Sequence, residues 1–178
     1  MSTPSPGARA VTAYKIEDVF LVAAECWVSR DNNQLAQPTD ITYGHFSSID
    51  ETVLHQERTS IADGTKIHIL RYFVTTDVRL LKPGISVENR EPTQEELLAA
   101  IKLTFAADYS CSPEALQDAD AVGAFSRNAQ FHAWPYIREE VSAFCGRLRI
   151  PRVMLPMLKP DQLWPVQIAS RLEQTQKK

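Results

Sequence analysis

A long alternation of apolar and polar residues, running from Ile67 to Leu81, is the feature that most constrains how this chain folds. Successive side chains of a strand point to opposite faces, so the pattern predicts one long strand with two different faces. One face carries His68, Leu70, Tyr72, Val74, Thr76, Val78 and Leu80, and the other carries Ile69, Arg71, Phe73, Thr75, Asp77 and Arg79. Asp63-Gly64 predicts a tight hairpin turn before this strand, and Pro83-Gly84 ends it.

Three other regions of the first two thirds of the chain also read as extended. They are residues 16–28, a less regular stretch that begins at 41–46 and resumes at 52–61, and residues 99–111. Before the last of these, Thr93-Gln94-Glu95-Glu96 matches a capping box, so a helix over Leu97–Leu103 is an alternative. The alternation from Ile101 to Tyr109 favours a strand there.

Helix signals follow the strands. Ser112-Pro113-Glu114 predicts the start of a short helix that ends near Phe125. Residues 127–134 then form a linker, and Pro135 occupies the first position of a longer helix that ends near Gly146. Pro151, Pro156, Pro160 and Pro165 exclude a long helix after it, and a short helix is expected over 168–176. The order predicts an α+β fold: a four-stranded antiparallel sheet with a short helix and a longer C-terminal helix packed on one side.

The 178 residues suit a single domain, which we expect to span residues 14–165. Residues 1–13 read as a flexible tail, and residues 166–178 as a short helix or tail. The composition, 44% hydrophobic and 23% charged, is typical of a soluble globular protein. We expect no secretory signal, no membrane span and a cytoplasmic location. Cys26, Cys111 and Cys145 are expected as free thiols, with no metal or cofactor.

The net charge of −3 conceals an uneven distribution along the chain. Residues 127–178 hold 9 Lys and Arg against 4 Asp and Glu, whereas residues 1–126 hold 10 against 18. Arg147, Arg149 and Arg152 form the densest basic group. Because no aromatic residues are interleaved with them, a solvated helix end is favoured over a nucleic-acid site, and no nucleic-acid partner is expected.

One candidate catalytic group stands out, His132 with Glu139 or Glu140 near Tyr136. Such a cluster could perform acid–base chemistry. The alternative is a histidine in the linker above two solvated carboxylates, and this is the interpretation we favour. The sequence also lacks the common nucleophile, metalloprotease and phosphate-binding motifs, so no enzyme activity is expected.

Large aromatic residues near the predicted element ends are candidates for a binding surface. They are Trp27, Tyr43, Phe46, Phe131, Trp134 and Tyr136. Aromatic pockets combined with strand-edge hydrogen bonds can bind extended polypeptide, although such residues could equally belong to the core. The apolar, proline-spaced segment 153–164 must lie against the parent sheet, a neighbouring subunit or a client.

Part of this sequence resembles a known family. Gly123-Ala124-Phe125, then Trp134-Pro135-Tyr136-Ile137-Arg138-Glu139, then Gly146 and Pro151, follow the order found in SecB-like export chaperones. The similarity is greatest to the branch encoded beside toxin–antitoxin pairs. It implies that Gly123, Pro135, Arg138, Glu139, Gly146 and Pro151 have structural or interface roles, with the six aromatic residues as groove candidates by location.

The resemblance also implies a function in protein transport or toxin–antitoxin control. Members of this family are ATP-independent holdases that bind unfolded or nascent polypeptides as homotetramers, each a dimer of dimers. An antitoxin or the translocation motor is a further implied partner. The alternative is a dedicated interaction module of the same fold without general chaperone activity.

Overall fold

Six strands and one long helix make up the computed structural model, which describes Ser5 and residues 13–29, 42–49, 53–60, 63–87, 90–158 and 172–174. In chain order the elements are β1 (Tyr14–Val28), β2 (Tyr43–Ile49), β3 (Val53–Thr59), β4 (Lys66–Leu81), β5 (Leu97–Cys111), a 3₁₀ turn (Ala115–Gln117), α1 (Ala119–Arg147) and β6 (Leu172–Gln174). The expected α+β class is confirmed. Among the described residues, no helix is long and apolar enough to span a membrane.

The sheet has the strand order β1-β5-β4-β3-β6, and β2 pairs with β4 as well. The expected number of four strands is wrong because β4, with 16 residues, is long enough to pair with two strands in succession. β3 pairs with its first part, Lys66–Arg71, and β2 with its second, Val74–Leu80. β6 pairs parallel to β3, although a helix was expected over 168–176. A short isolated helix is only marginally stable in water, whereas pairing with the edge of β3 gives these residues lasting backbone hydrogen bonds.

The alternation in β4 produces the two faces that the sequence predicts. Leu70, Tyr72, Val74, Thr76, Val78 and Leu80 are all fully buried. Between them, Arg71, Phe73, Thr75, Asp77 and Arg79 are only partly buried and lie on the opposite face of the sheet, which we call the open face. The Asp63-Gly64 hairpin is confirmed too, with Gly64 at a φ of 71° that a glycine adopts without strain.

Residues 97–111 form a strand, as the alternation predicted, and the capping-box bond forms without a helix. The Glu96 carboxylate accepts a hydrogen bond from the Thr93 backbone N–H at 2.8 Å. Arg90 also pairs with Glu96. The Arg90 guanidinium, followed by that backbone bond, lowers the pKa of Glu96 to about 2. This motif therefore shapes the turn into β5 rather than starting a helix.

A single helix of 29 residues replaces the two helices and linker predicted from the sequence. Asp118 is its N-cap, since its side chain accepts from the Ala121 N–H at 3.0 Å, whereas Ser112-Pro113 precedes only the 3₁₀ turn. Pro135 lies inside the helix and is exposed. It cannot donate to the Phe131 carbonyl, but Phe131 and Pro135 are both exposed, so water can bond that carbonyl.

Burial of the predicted linker explains why the helix continues through it. Ala129, Gln130, Ala133 and Trp134 are all buried against the sheet. Their side of the helix is continuous with Ile137, Val141 and Cys145 further along. The free energy gained by burying this apolar stripe, at roughly 25 cal/mol per Å², offsets the hydrogen bond lost at Pro135.

The helix ends one residue later than predicted and without a glycine in the left-handed position. Arg149, with a φ of 54°, occupies that position. The Ile150 N–H donates to the Cys145 carbonyl at 3.1 Å and the Arg149 N–H donates to the Gly146 carbonyl at 3.2 Å. These two bonds define a Schellman motif in which Gly146 is an ordinary helical residue.

We expect Arg149→Gly to raise the free energy of unfolding by about 0.5–1 kcal/mol. Glycine removes the strain of a left-handed L-residue, and part of this gain is cancelled by the greater freedom of the unfolded chain. Urea denaturation followed by circular dichroism measures the change. The matched control, Arg147→Gly in the last helical turn, should instead lower stability by about 0.5–1 kcal/mol. Equal effects of the two substitutions would contradict the assigned motif.

A second prediction concerns two histidines on neighbouring strands. His55 Nε2 lies 3.1 Å from His68 Nδ1, and the ring centroids are 5.3 Å apart with planes inclined by 27°. At this separation one ring nitrogen donates a hydrogen bond to the other. Such a bond holds one proton, and a second proton breaks it.

Burial, and then the neighbouring His68, lower the pKa of His55, while Glu57 opposes them. Below pH 6.5 the unfolded chain therefore binds more protons here than the folded chain does. We expect the free energy of unfolding to fall as the pH drops below about 6.5. His55→Gln should make this dependence shallower without abolishing it, because burial also lowers the pKa of His45 and of His132. An unchanged slope in urea titrations from pH 7.5 to 5 would contradict the assignment.

Candidate functional site

Two side chains of α1 hold the segment that follows it. We call residues 150–158 the strap, because this segment runs back along the helix without regular structure. Trp134 Nε1 donates to the Pro156 carbonyl at 2.9 Å, and Arg138 Nε donates to the Leu155 carbonyl at 2.9 Å. The two donors are four residues apart, one helical turn, and so lie on the same side of α1. They satisfy strap carbonyls that have no ladder partner.

The strap alternates between buried and exposed side chains. Val153 and Leu155 are 3% and 2% exposed and belong to the core beneath the helix. Met154 and Met157 are 58% and 68% exposed. Tyr43 of β2 donates a hydrogen bond to the Met154 carbonyl at 2.9 Å, so the strap also touches the sheet. Of the three surfaces that this apolar segment could cover, the described part covers its own domain.

A shallow cavity of about 330 Å³ lies between α1 and the strap, and we call it the strap groove. Its lining residues are Pro135, Arg138, Glu139 and Ser142 of the helix and Arg152, Val153, Met154 and Leu155 of the strap. Arg152 Nε donates to Ser142 Oγ at 2.7 Å, and Arg138 Nη1 lies 2.8 Å from Met157 Sδ. These contacts fix both arginines across the groove, where flexible methionine side chains can adapt to different apolar groups.

The six aromatic residues proposed from the sequence do not form one surface. Phe131 and Tyr136 are 48% and 47% exposed on α1, but their separation of five residues places them on different sides of the helix. Phe131 precedes Pro135 by one turn on the groove side. Tyr43 reaches the strap through its hydroxyl. Trp27 pairs with Ala100 and so lies on the open face of the sheet, away from the groove.

Trp134 is the clearest correction among them. It is 3% exposed and packs in the core, so it supports the groove from below and is not open to a ligand. The Phe46 side chain lies outside the described residues. Sequence reasoning gave less weight to Met154, Met157 and Arg152, although alternation within the proline-spaced segment is a signal that could have identified the exposed methionines.

Of the residues that carried the family resemblance, Pro135, Arg138 and Glu139 line the strap groove, and the others lie in α1 or at the start of the strap. Gly123 lies in the first turns of α1, where its carbonyl accepts a bond from Ser126 at 2.8 Å. Pro151 is partly buried at the start of the strap. Within the described residues, neither Arg138 nor Glu139 has an ion pair. Arg138 instead donates to the neutral Leu155 carbonyl of the strap.

The helix holds the members of the candidate acid–base group apart from one another. His132 Nδ1 lies 2.9 Å from the Tyr109 hydroxyl, and burial lowers the pKa of this histidine. Glu139 is seven residues further on, about 10 Å along the axis at the helical rise. Glu140 instead lies 3.8 Å from Arg147. Across the described ranges, no group of three or more His, Cys, Asp or Glu side chains could hold a metal ion.

A second exposed apolar region lies along β1, at one end of the strand order. Ile16, Leu21 and Val22 are 44%, 37% and 50% exposed. β1 pairs with β5 on one side, and no described strand pairs with its other edge. A long apolar edge strand is a ready template for pairing with another chain.

These features define a class of protein: a largely antiparallel sheet covered on one face by a long helix and its strap, with apolar side chains exposed on the strap and on β1. The fold is that of the SecB-like chaperones. It is similar to the solved Mycobacterium tuberculosis SecB-like chaperone Rv1957, in complex with a ChAD peptide from the Rv1956 HigA1 antitoxin. The TM-score is 0.59 at 21% identity, with 86% of this chain and 96% of that chain covered. No protein-family model and no curated protein matches the sequence.

Proposed function

We propose that this protein is an ATP-independent chaperone that binds non-native polypeptide and involves no chemical step, metal or cofactor. The observation that carries the proposal is the strap groove, an adaptable apolar surface with Met154 and Met157 exposed beside fixed hydrogen-bonding groups. Burial of a client's apolar side chains supplies the affinity, roughly 25 cal/mol per Å² before the costs of ordering are subtracted. The similarity of fold to a SecB-like chaperone supports the same assignment.

A second candidate is a dedicated module that binds one partner, such as an antitoxin. It is favoured by the peptide in the structure of Rv1957, which derives from an antitoxin. The two candidates differ in breadth, because a dedicated module would ignore most unfolded clients. Export through the translocation motor is a further possibility within the first candidate and requires a separate binding test with the motor.

We also propose that the protein assembles as a homotetramer, a dimer of dimers, in the cytoplasm. The exposed apolar side chains of β1 and its unpaired edge, as far as the described residues show, support self-association. The three free cysteines suit a reducing compartment. Light scattering coupled to size-exclusion chromatography measures the mass. A stable monomer at micromolar concentration would contradict the assembly.

The test of the function is light scattering from a slowly refolding, aggregation-prone protein, without nucleotide and with a stoichiometric amount of this chain. We expect scattering to be suppressed for several unrelated clients. The double variant Met154→Asp/Met157→Asp should lose most of this effect, because charges replace the apolar rim of the groove. Ile67→Asp is the matched control, since Ile67 is also exposed, at 36%, but lies at the distant β3–β4 hairpin. Suppression for one client alone would favour the dedicated module.

A further inference from the structure

The arginines of the strap groove differ from those of the sheet in what holds them. Arg58 and Arg71 pair with Asp108, Arg79 pairs with Asp77, and Arg90 in the loop before β5 pairs with Glu96. Among the described residues, no carboxylate lies within ion-pair distance of Arg138 or Arg152. Each is held instead by a neutral acceptor, the Leu155 carbonyl or Ser142 Oγ.

A guanidinium has five N–H donors in a rigid fork, and these neutral contacts use only part of them. The Nε donors of Arg138 and Arg152 are engaged, which orients the remaining donors of each group. A fixed guanidinium with unused donors favours a carboxylate, which accepts two parallel bonds from it. Because the contacts within the protein already restrain both side chains, little rotamer entropy remains to be lost when a ligand binds.

The charges around the groove point in the same direction. From residue 127 to residue 158 the chain carries five arginines and two glutamates. One of these glutamates, Glu139, lines the groove beside the two arginines, and the other, Glu140, lies near Arg147. The groove therefore combines two cations with one anion, and exposed Met154 lines it while exposed Met157 lies beside Arg138.

We propose that the strap groove selects extended polypeptide segments in which Asp or Glu stands among large apolar residues. This inference rests on the proposed function, because it names the chemistry of the ligand for the same groove. The apolar side chains of the segment contact the methionines, and its carboxylate binds Arg152 and Arg138. Segments rich in Lys or Arg are disfavoured there by charge repulsion.

Fluorescence anisotropy with the whole 178-residue chain tests this. The three fluorescent peptides share one apolar sequence and carry Glu, Gln or Lys at the same three positions. We expect the Glu peptide to bind about tenfold more tightly than the Gln peptide, the gain of a charge-assisted bond, and the Lys peptide to bind most weakly. The difference should shrink at high salt. Arg152→Gln should remove most of the Glu preference and leave binding of the Gln peptide nearly unchanged.

Arg147→Gln is the matched control, since it removes the same charge from a residue that does not line the groove. If all three peptides bind equally, or if both variants reduce the Glu preference to the same extent, the inference is overturned while the proposed function stands. If no peptide binds at any salt concentration, the proposed function itself fails. Circular dichroism confirms that both variants are folded.

Discussion

Replacing Trp134 with alanine is expected to lower the free energy of unfolding by about 3–5 kcal/mol. The substitution leaves a large cavity in the core and removes the donor that holds the Pro156 carbonyl. The loss should also release the strap from α1. We therefore expect both stability and polypeptide binding to fall. Urea denaturation measures the loss of stability independently of the loss of binding.

Two further substitutions separate the roles of the ring and of its N–H group. Trp134→Phe keeps most of the apolar volume but leaves the Pro156 carbonyl without its partner, so a smaller loss of about 1–2 kcal/mol is expected. Tyr136→Ala removes an exposed ring two positions away on the same helix and should change stability by at most about 0.5 kcal/mol. Similar losses for Trp134→Ala and Tyr136→Ala would show that the strap is not anchored as described.

Replacing Asp108 with alanine is expected to cost about 3 kcal/mol of stability. Asp108 is 1% exposed and accepts two bonds from Arg71, at 2.6 and 2.8 Å, and one from Arg58 at 3.0 Å. The substitution would leave the largely buried Arg71 guanidinium without its carboxylate. Arg58 is half exposed, so water can replace its bond, and we place the loss at the lower end for a buried ion pair.

The matched control is Asp77→Ala on the same face of the sheet. Asp77 is 25% exposed on its side chain and, among the described residues, has an ion pair only with Arg79, so about 1 kcal/mol or less should be lost. The double variant Asp108→Leu/Arg71→Leu should recover part of the loss, because neither charge is then left unpaired. Equal costs for Asp108→Ala and Asp77→Ala in urea denaturation would contradict the energetic role of the Asp108 cluster.

The candidate site shows where sequence reasoning reached its limit. Three residues of the Trp134–Glu139 motif line the strap groove, and the proline spacing correctly excluded a long helix from the segment described after α1. Neither could show that Trp134 faces the core while Met154 and Met157 face outward, because both residue types occur in cores and in binding surfaces. Whether such a residue lies in the core or on the surface is decided by which side of the helix packs on the sheet.

The sequence by itself determined the elements whose signal is local. The alternation of β4 and β5 and the Asp63-Gly64 turn depend on side-chain direction and backbone preference, which act between near neighbours. Tertiary structure decided the rest. Pro135 is a good first helical residue, yet the helix runs through it because the buried stripe from Ala129 to Cys145 gains more by staying continuous than one lost hydrogen bond costs. The strap likewise acquires its position through contacts distant in sequence, among them the bonds from Trp134 and Arg138 to carbonyls about twenty residues further along the chain.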